Sequence, residues 1–536
     1  MNPSRYDMIL VGSGISCTAV MLHLLDKLKV DGLPGGNPFH IAVIEKDDEL
    51  WKGIPYGRRS SMNSLTITNF GEFVPNVEKE PFMAWLVKNR EQWVENLART
   101  GGPTASKWLD NNLHLIQSGQ WDQMYIPRSL FGAYLKEKIE AKIVNAQRNN
   151  FAKVTCIRGL AVDINKDERI GYQLKIKNDA GLDSWFETRR MVLCIGSPPI
   201  KAISGIGEGG NYTYINDIYH PSLPDNMAII QSVVSSVTPV ADRNILVLGS
   251  NASSLELIYL FNTIPELRNS INKIVVLSQS GNLPNRINPF PSNHHAFKNM
   301  ELLKNKKLFT SADLMQAIEI DIAAAQSNDV NIADVYSQLS ELMIELLEKL
   351  TDTQKEKFYC FHGAEFSKLI RRAGAEYRDA AAELEQQGKL EMIKGTLLNI
   401  GNSQDSGKRG EVLYRPFNND SEVVFPISFS LVVNCGGFEY LNNYSSSELI
   451  SNLVVRKLCD INCTVRGFRV NERFEAAEGL YIMGPLLGGI FNDKSKLWHV
   501  ENAKSIFYLA NLMVSEMTFD GINKMIISNV VNKSST

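Results

Sequence analysis

The sequence has 536 residues, of which 44% are hydrophobic and 21% are charged, so a largely disordered chain is excluded and two or three hydrophobic cores are expected. The 56 lysines and arginines nearly balance the 59 aspartates and glutamates, which argues against a nucleic-acid-binding protein. Seven scattered cysteines do not suggest a disulfide framework, and we therefore expect a reducing cytoplasm.

Residues 8–25 include no charged residue and are about as long as a membrane span. A membrane helix is disfavoured because Gly12 and Gly14 interrupt the stretch. A lipoprotein signal ending at Cys17 is disfavoured because the preceding residues lack a positive excess. The interpretation we favour is a buried strand, a glycine turn and a helix, with no membrane span.

The N-terminal residues predict a strand–turn–helix–strand unit. The apolar run 6–11 is typical of a buried strand, and the periodic segment 18–28 of a helix. A loop over 31–39 precedes a second strand over 40–45. This order begins a doubly wound α/β domain.

Gly12 and Gly14 stand where a dinucleotide fingerprint is expected. Glycines there permit a tight turn and let a pyrophosphate approach the helix N-terminus. Cys17 replaces the third glycine, and the carboxylate of Glu45 would bind a ribose diol. A simple turn and a solvated carboxylate are the alternatives.

The same unit recurs over residues 244–278, where Gly249 is followed by Asn251 and Ser254 at the other glycine positions. An arginine for a nucleotide 2′-phosphate is absent, since residues 278–280 are Ser-Gln-Ser and Arg286 comes later. Nicotinamide binding and a structural relic of a duplicated domain are equal alternatives.

Three further strands are predicted to end in glycine, over 190–196, 431–437 and 479–484. Residues 311–394 contain no strand-like run and predict a helical insertion. The spacing of the cysteines and histidines predicts no metal site.

Several segments together resemble the FAD-NAD(P)-binding proteins related to the flavin-dependent N-hydroxylating monooxygenases. They occur in order along most of the chain: 53–57 (GIPYG), 62–63 (MN), 126–135 (IPRSLFGAYL), 194–199 (CIGSPP), 277–284 (LSQSGNLP), 388–395 (GKLEMIKG) and 480–485 (LYIMGP).

The resemblance implies an α/β flavoprotein with two dinucleotide-binding domains. A Rossmann-like FAD domain would occupy 1–225 and return over 396–536. An NAD(P)-binding-like domain over 226–305 and the helical insertion over 306–395 would interrupt it.

The resemblance also implies roles for individual residues. Those implied to bind the adenosine diphosphate half of FAD are Gly12, Ser13, Gly14, Ile15, Ser16, Cys17, Glu45 and Lys46. Those placed near the flavin or its pyrophosphate are Tyr56, Asn63 and Arg128, with Gly196 as a hinge and Gly484 behind the ring. The nicotinamide nucleotide would contact Gly249, Asn251, Ser254 and Ser278. Tyr56 as a core residue and Arg128 as the partner of a carboxylate are alternatives.

The implied activity is that of an FAD-dependent oxidoreductase, in which NADPH or NADH reduces FAD and oxygen then reacts. We expect a monooxygenase that acts on a small amine or amino acid. Arg371 and Arg372 could clamp a substrate carboxylate, or form a solvated basic helix face. Alternatives are a flavoprotein reduced by its substrate or a partner, and a non-enzymatic nucleotide-binding scaffold.

Overall fold

The computed structural model describes residues 4–31, 37–204, 206, 211–291, 294–401, 409–419, 421–442 and 446–518. Within these ranges, no helix combines the length and the apolar character that a membrane crossing requires.

The strands, in chain order, are β1 (Ser4–Tyr6), β2 (Met8–Val11), β3 (Phe39–Glu45), β4 (Ala152–Arg158), β5 (Leu160–Asp167), β6 (Gly171–Lys177), β7 (Asp183–Thr188), β8 (Met191–Leu193), β9 (Thr213–Ile215), β10 (Asn244–Leu248), β11 (Lys273–Ser278), β12 (Asn285–Arg286), β13 (Arg372–Ala373), β14 (Leu390–Gly401), β15 (Glu411–Pro416), β16 (Val423–Val424), β17 (Leu431–Asn434), β18 (Glu475–Ala477), β19 (Leu480–Ile482), β20 (Ile490–Phe491) and β21 (Lys496–Leu497).

The α-helices are α1 (Ile15–Asp31), α2 (Gly53–Tyr56), α3 (Phe70–Phe73), α4 (Asn76–Lys88), α5 (Arg90–Thr100), α6 (Gly102–Ser118), α7 (Arg128–Arg148), α8 (Leu223–Ser236), α9 (Ala252–Thr263), α10 (Pro265–Ser270), α11 (Lys298–Lys304), α12 (Ser311–Ser327), α13 (Tyr336–Lys349), α14 (Asp352–Lys357), α15 (Gly363–Leu369), α16 (Ala375–Gln386), α17 (Glu448–Val455) and α18 (Ala503–Glu516).

The first glycine turn belongs to a six-stranded sheet in the order β18-β19-β8-β2-β3-β4. Strands β19, β8, β2, β3 and β4 run parallel, and β18 is antiparallel at the edge. All four residues of β2 are buried, because helices and loops cover both faces of a parallel sheet. A separate four-stranded sheet, β1-β7-β6-β5, accompanies it.

The second glycine turn belongs to a seven-stranded sheet in the order β16-β15-β14-β11-β10-β17-β9. Strand β10 lies between β11 and β17, as β2 lies between β3 and β8. The sheets therefore repeat one arrangement around each turn. This confirms the α/β class with two dinucleotide-binding units.

Sheet membership differs from the predicted division of the chain. Strand β14 begins at Leu390 and pairs in parallel with β11, and β15 to β17 follow it into the second sheet. We call the six-stranded sheet with its helices the first unit and the seven-stranded sheet with its helices the second unit. The second unit thus extends beyond residue 395, and β9, which precedes residue 226, also belongs to it. The prediction of no strand within 311–394 is wrong at β13 and at the start of β14. Both strands form because they pair with strands that are distant in the sequence, and local composition does not reveal such pairing.

Helices α11 to α15 surround a hydrophobic core of their own, which includes Phe297, Leu314, Leu339 and Phe366. A disulfide between Cys360 and Cys463 ties this helical region to the segment that precedes β18, with Cα atoms 5.4 Å apart. The cysteine pattern predicted no disulfide framework. This pair escaped notice because its members lie 103 residues apart and only folding brings them together.

Helix α16 buries a carboxyl group beside aromatic side chains of both units. The Oε2 atom of Glu376 has no hydrogen-bond partner among the described residues. Burial raises the pKa of Glu376 from 4.5 to about 7. The folded protein therefore retains this proton up to about pH 7, whereas the unfolded chain releases it near pH 4.5.

Replacing Glu376 with glutamine is expected to stabilise the protein at neutral pH. Because the folded state binds the extra proton, wild-type stability falls as pH rises from 4.5 to 7, and the glutamine variant escapes this loss. Its advantage in the free energy of unfolding should grow to about 3 kcal/mol at pH 8. Urea unfolding of both proteins at pH 5 and pH 8 measures this. If the glutamine variant were more stable than the wild type by the same amount at both pH values, the raised pKa of Glu376 would be contradicted.

Candidate functional site

A cavity of about 3050 Å³ is lined by residues from both glycine turns. Its walls contain the carboxyl ends of the central strands of both sheets, where ligands bind in open α/β folds. The volume is several times the ~300–1,000 Å³ typical of one small-molecule site. It can accommodate more than one ligand.

The first turn packs so closely that only glycine fits at position 12. Gly12 has a φ of +91°, and a Cβ there would lie 2.5 Å from the carbonyl oxygen of Cys194. A Cβ on Gly53 would lie 3.0 Å from the Cα of Gly14, which shows how closely these two backbones approach. The residues at the N-terminus of α1, Gly14, Ile15 and Ser16, line the cavity.

The carboxylate of Glu45 holds the first turn in place. Its Oε2 atom accepts hydrogen bonds from the backbone nitrogen of Ser13 at 2.7 Å and from Ser13 Oγ at 2.9 Å, and Oε1 accepts one from the Asp47 nitrogen at 2.9 Å. Glu45 and Lys46 also line the cavity. Since each carboxylate oxygen accepts more than one bond, Glu45 has capacity for ribose hydroxyls.

The second turn repeats the packing of the first. Gly249 has a φ of +100°, and a Cβ there would lie 2.4 Å from the carbonyl oxygen of Cys435. Asn251 has a φ of −87° and precedes α9 as its N-cap. The left-handed conformation that asparagine tolerates is therefore not used. The Ser254 hydroxyl donates to the Gly249 carbonyl at 2.7 Å.

Most of the predicted site residues line the cavity. They are Gly12, Gly14, Ile15, Ser16, Glu45, Lys46, Tyr56, Arg128, Gly196, Gly249, Asn251 and Ser278. The lining does not include Ser13, Cys17, Asn63, Ser254 or Gly484.

The five residues outside the lining act within the structure around it. Cys17 is buried, and its burial and a hydrogen bond to Cys194 raise the pKa of its thiol. Asn63 donates to the carbonyl of Gly101 at 2.8 Å. Gly484 lies behind the start of α1, since a Cβ there would be 2.3 Å from Ser16 Oγ.

Arg128 pairs with the carboxylate of Glu256, which no local sequence pattern marks as a site residue. Its Nη2 atom lies 2.6 Å from Glu256 Oε2, and both side chains are largely buried. Glu256, on α9, also accepts hydrogen bonds from Tyr219 at 3.0 Å and from Ser64. Burial is the largest effect and would lower the pKa of Arg128, but Glu256 together with Tyr219, Tyr377 and Tyr56 outweighs it, and the pKa is raised. The pair links the two units at the cavity wall.

Arg371 and Arg372 do not form a common clamp, nor do they lie on a helix. Arg371 lines the cavity and donates to Asn251 Oδ1 at the second turn. Burial lowers its pKa. Arg372, at the start of β13, forms an ion pair with Glu72 at 3.0 Å and stacks on Tyr336 at 3.5 Å. Only Arg371 faces the second turn.

Two glycines leave free space beside the turns. A Cβ on Gly196 or on Gly437 would meet no atom within 4 Å, and both residues line the cavity with positive φ values. These openings fit the approach of a flat ligand to the strand ends. Gly196 was predicted as a hinge; Gly437 was missed as a site residue, although its strand was predicted to end in glycine.

Comparison with known proteins agrees with this arrangement. Residues 9–198 match a family model described as FAD-NAD(P)-binding. Proteins of Mycobacterium tuberculosis (strain H37Rv) and Mycobacterium bovis, both named as uncharacterized, are 35% identical over 518 residues, which is 96% of this chain and 96% of theirs. The chain belongs to the FAD-NAD(P)-binding flavoprotein family.

Several solved structures of other proteins share the fold. The ornithine N-hydroxylase of Kutzneria sp. 744 is 12% identical with a TM-score of 0.51, covering 99% of this chain and 100% of its own. The FAD-bound cadaverine monooxygenase of Erwinia amylovora is 10% identical with a TM-score of 0.53, covering 96% and 95%. The L-lysine 6-monooxygenase of Pseudomonas syringae is 13% identical with a TM-score of 0.50, covering 95% and 98%.

Proposed function

We propose that this flavoprotein is an NAD(P)H-dependent monooxygenase that acts on a small amine or amino acid. The observation that carries the proposal is the presence of two equivalent glycine turns on one cavity. One turn would hold FAD and the other a nicotinamide nucleotide. FAD, when bound, supplies the electron transfer and the reaction with oxygen.

The first turn offers the groups that the adenosine diphosphate half of FAD requires. The positive end of the α1 dipole and its free N–H groups favour a pyrophosphate beside Gly14 and Ser16. Glu45 accepts hydrogen bonds from ribose hydroxyls. Gly12 and Gly196 keep the backbone free of side chains along this path.

The second turn offers a comparable set for the nicotinamide nucleotide. The N-terminus of α9 faces the cavity next to Ser250, and the guanidinium of Arg371 lies against Asn251. This guanidinium supplies positive charge for a pyrophosphate or for an anionic group of the substrate.

The substrate class is supported by the solved relatives, which are named as acting on ornithine, cadaverine and lysine. All three molecules carry a primary amino group. A cytoplasmic location is part of the proposal: five of the seven cysteines are free, as a reducing compartment favours, whereas the disulfide of Cys360 and Cys463 is unusual for one.

A visible spectrum and a reduction assay test the proposal. The purified protein is expected to be yellow, and NADPH or NADH should bleach the flavin under anaerobic conditions. On readmission of air, ornithine, lysine or cadaverine should yield a hydroxylated product. A protein that gains no FAD on reconstitution would refute the assignment.

A second candidate is a flavoprotein that is reduced by its substrate or a partner. Gln279 favours it, because residues 278–280 are Ser-Gln-Ser and offer no arginine for a nucleotide 2′-phosphate. Flavin that stays oxidised with both nicotinamides, while the substrate alone reduces it, would support this candidate. Rapid reduction by NADPH would eliminate it.

A further inference from the structure

Three serine hydroxyls meet at the carboxyl end of β11. The Oγ atom of Ser280 lies 3.1 Å from that of Ser250, in the second glycine turn, and 3.3 Å from that of Ser278. All three residues line the cavity. In dinucleotide-binding domains this strand end lies beside the adenosine ribose.

Lys394 lines the same cavity from the neighbouring strand, β14. It pairs in register with Ser278, because β14 runs parallel to β11. A Cβ on Gly281 would lie 2.6 Å from the Cβ of Lys394, so glycine at this position permits the approach. The Nζ atom lies 3.5 Å from the ring centroid of Phe417, and Lys394 forms no ion pair within the described ranges.

Within the described part of the chain, the two lining segments beside this strand end carry no carboxylate. Domains specific for NAD hold the ribose diol with an aspartate or glutamate at the end of the second strand. Here Ser278, Gln279 and Ser280 occupy that end, and the lining segments 277–284 and 392–397 include no acidic residue. The local charge therefore favours an anion.

We propose that Ser250, Ser278, Ser280 and Lys394 bind the 2′-phosphate of NADPH. We call these four residues the phosphate cluster. Lys394 would supply, from β14, the positive charge that residues 278–280 lack. The inference rests on the proposed function for the nicotinamide nucleotide, and it assigns the choice of NADPH over NADH to this chain's own residues.

Calorimetric titration of the FAD-containing protein tests the phosphate cluster with two probes. Adenosine 2′,5′-bisphosphate carries the 2′-phosphate, and adenosine 5′-monophosphate lacks it. The wild type is expected to bind the bisphosphate at least about tenfold more tightly, because a charge-assisted contact contributes that much. Lys394→Gln should lose this preference without a change in monophosphate affinity, and Lys394→Arg should retain it.

Two further variants separate a specific role from a general one. Lys273→Gln alters a lysine at the other end of β11, where it pairs with Glu391 at 2.6 Å, and should leave the preference intact. Adding Gln279→Arg to Lys394→Gln should restore bisphosphate binding.

Equal affinity of the wild type for the two probes would overturn the inference, as would a parallel loss of both in Lys394→Gln. Binding of neither probe would also remove the nicotinamide part of the proposed function, whereas the flavin spectrum reports the FAD part independently.

Discussion

Replacing Gly12 with alanine is expected to abolish FAD binding and to destabilise the first unit. The new Cβ would lie 2.5 Å from the Cys194 carbonyl oxygen, and alanine disfavours the φ of +91°. Since the clash is with backbone, it cannot be relieved by a rotamer change. We expect the purified variant to carry less than a tenth of the wild-type flavin. The free energy of unfolding should fall by about 2–4 kcal/mol.

Gly181→Ala is the matched control. Gly181 has a φ of +74°, but a Cβ there would meet no atom within 4 Å. This variant reproduces the backbone strain without the clash, and we expect a cost of about 1 kcal/mol with full flavin content. The absorbance ratio of flavin to protein and urea unfolding provide the measurements. Equal losses in the two variants would show that the close packing of the turn is unimportant.

Gly249→Ala places the same clash in the second turn, 2.4 Å from the Cys435 carbonyl oxygen. If the turns bind different nucleotides, this variant should retain FAD and lose anaerobic reduction by NADPH. Loss of FAD from both variants, with each still folded, would contradict the division of the two cofactors between the turns.

The second large effect is expected at the buried pair of Arg128 and Glu256. Arg128→Met leaves the Glu256 carboxylate buried without its cation, and we expect a loss of about 3–5 kcal/mol in the free energy of unfolding. The double variant Arg128→Met with Glu256→Leu should recover most of this loss, because neither charge remains to be buried. Urea unfolding of the wild type and both variants measures the difference.

Flavin content distinguishes the two roles of Arg128. If Arg128 serves only its carboxylate partner, the double variant should regain both stability and FAD; if it also contacts the flavin pyrophosphate, stability returns and FAD does not. Glu422→Gln is the control, because it removes one partner of an exposed pair, 3.7 Å from Arg415. Its cost should stay below about 1 kcal/mol. A double variant no more stable than Arg128→Met would contradict the argument from buried charge.

The glycine turns could be predicted from the sequence because the patterns that mark them are local. An apolar run, two closely spaced glycines and a periodic helix follow one another within residues 6–28. Each of these signals can be recognised from a few neighbouring residues. The same holds for the repeat around Gly249. Glu45 was identified for the same reason, since it ends a strand that could be recognised by itself.

Contacts between distant segments could not be predicted from the sequence. Glu256 looks like any charged residue of a helix, and only the fold brings it to Arg128, 128 residues earlier. Lys394 lies in segment 388–395, which resembles the flavoprotein family, but its position beside Ser278 depends on the pairing of β14 with β11. The disulfide of Cys360 and Cys463 escaped notice in the same way.

The sequence by itself determined an α/β fold with two strand–glycine turn–helix units, because hydrophobic periodicity and glycine placement act over a few residues; the flavoprotein family followed from the resemblance of several ordered segments. The tertiary structure decided which strands complete each sheet, which charges are paired and which cation reaches the end of β11. These depend on packing between residues more than a hundred positions apart, and in a single sequence no local pattern records such pairings.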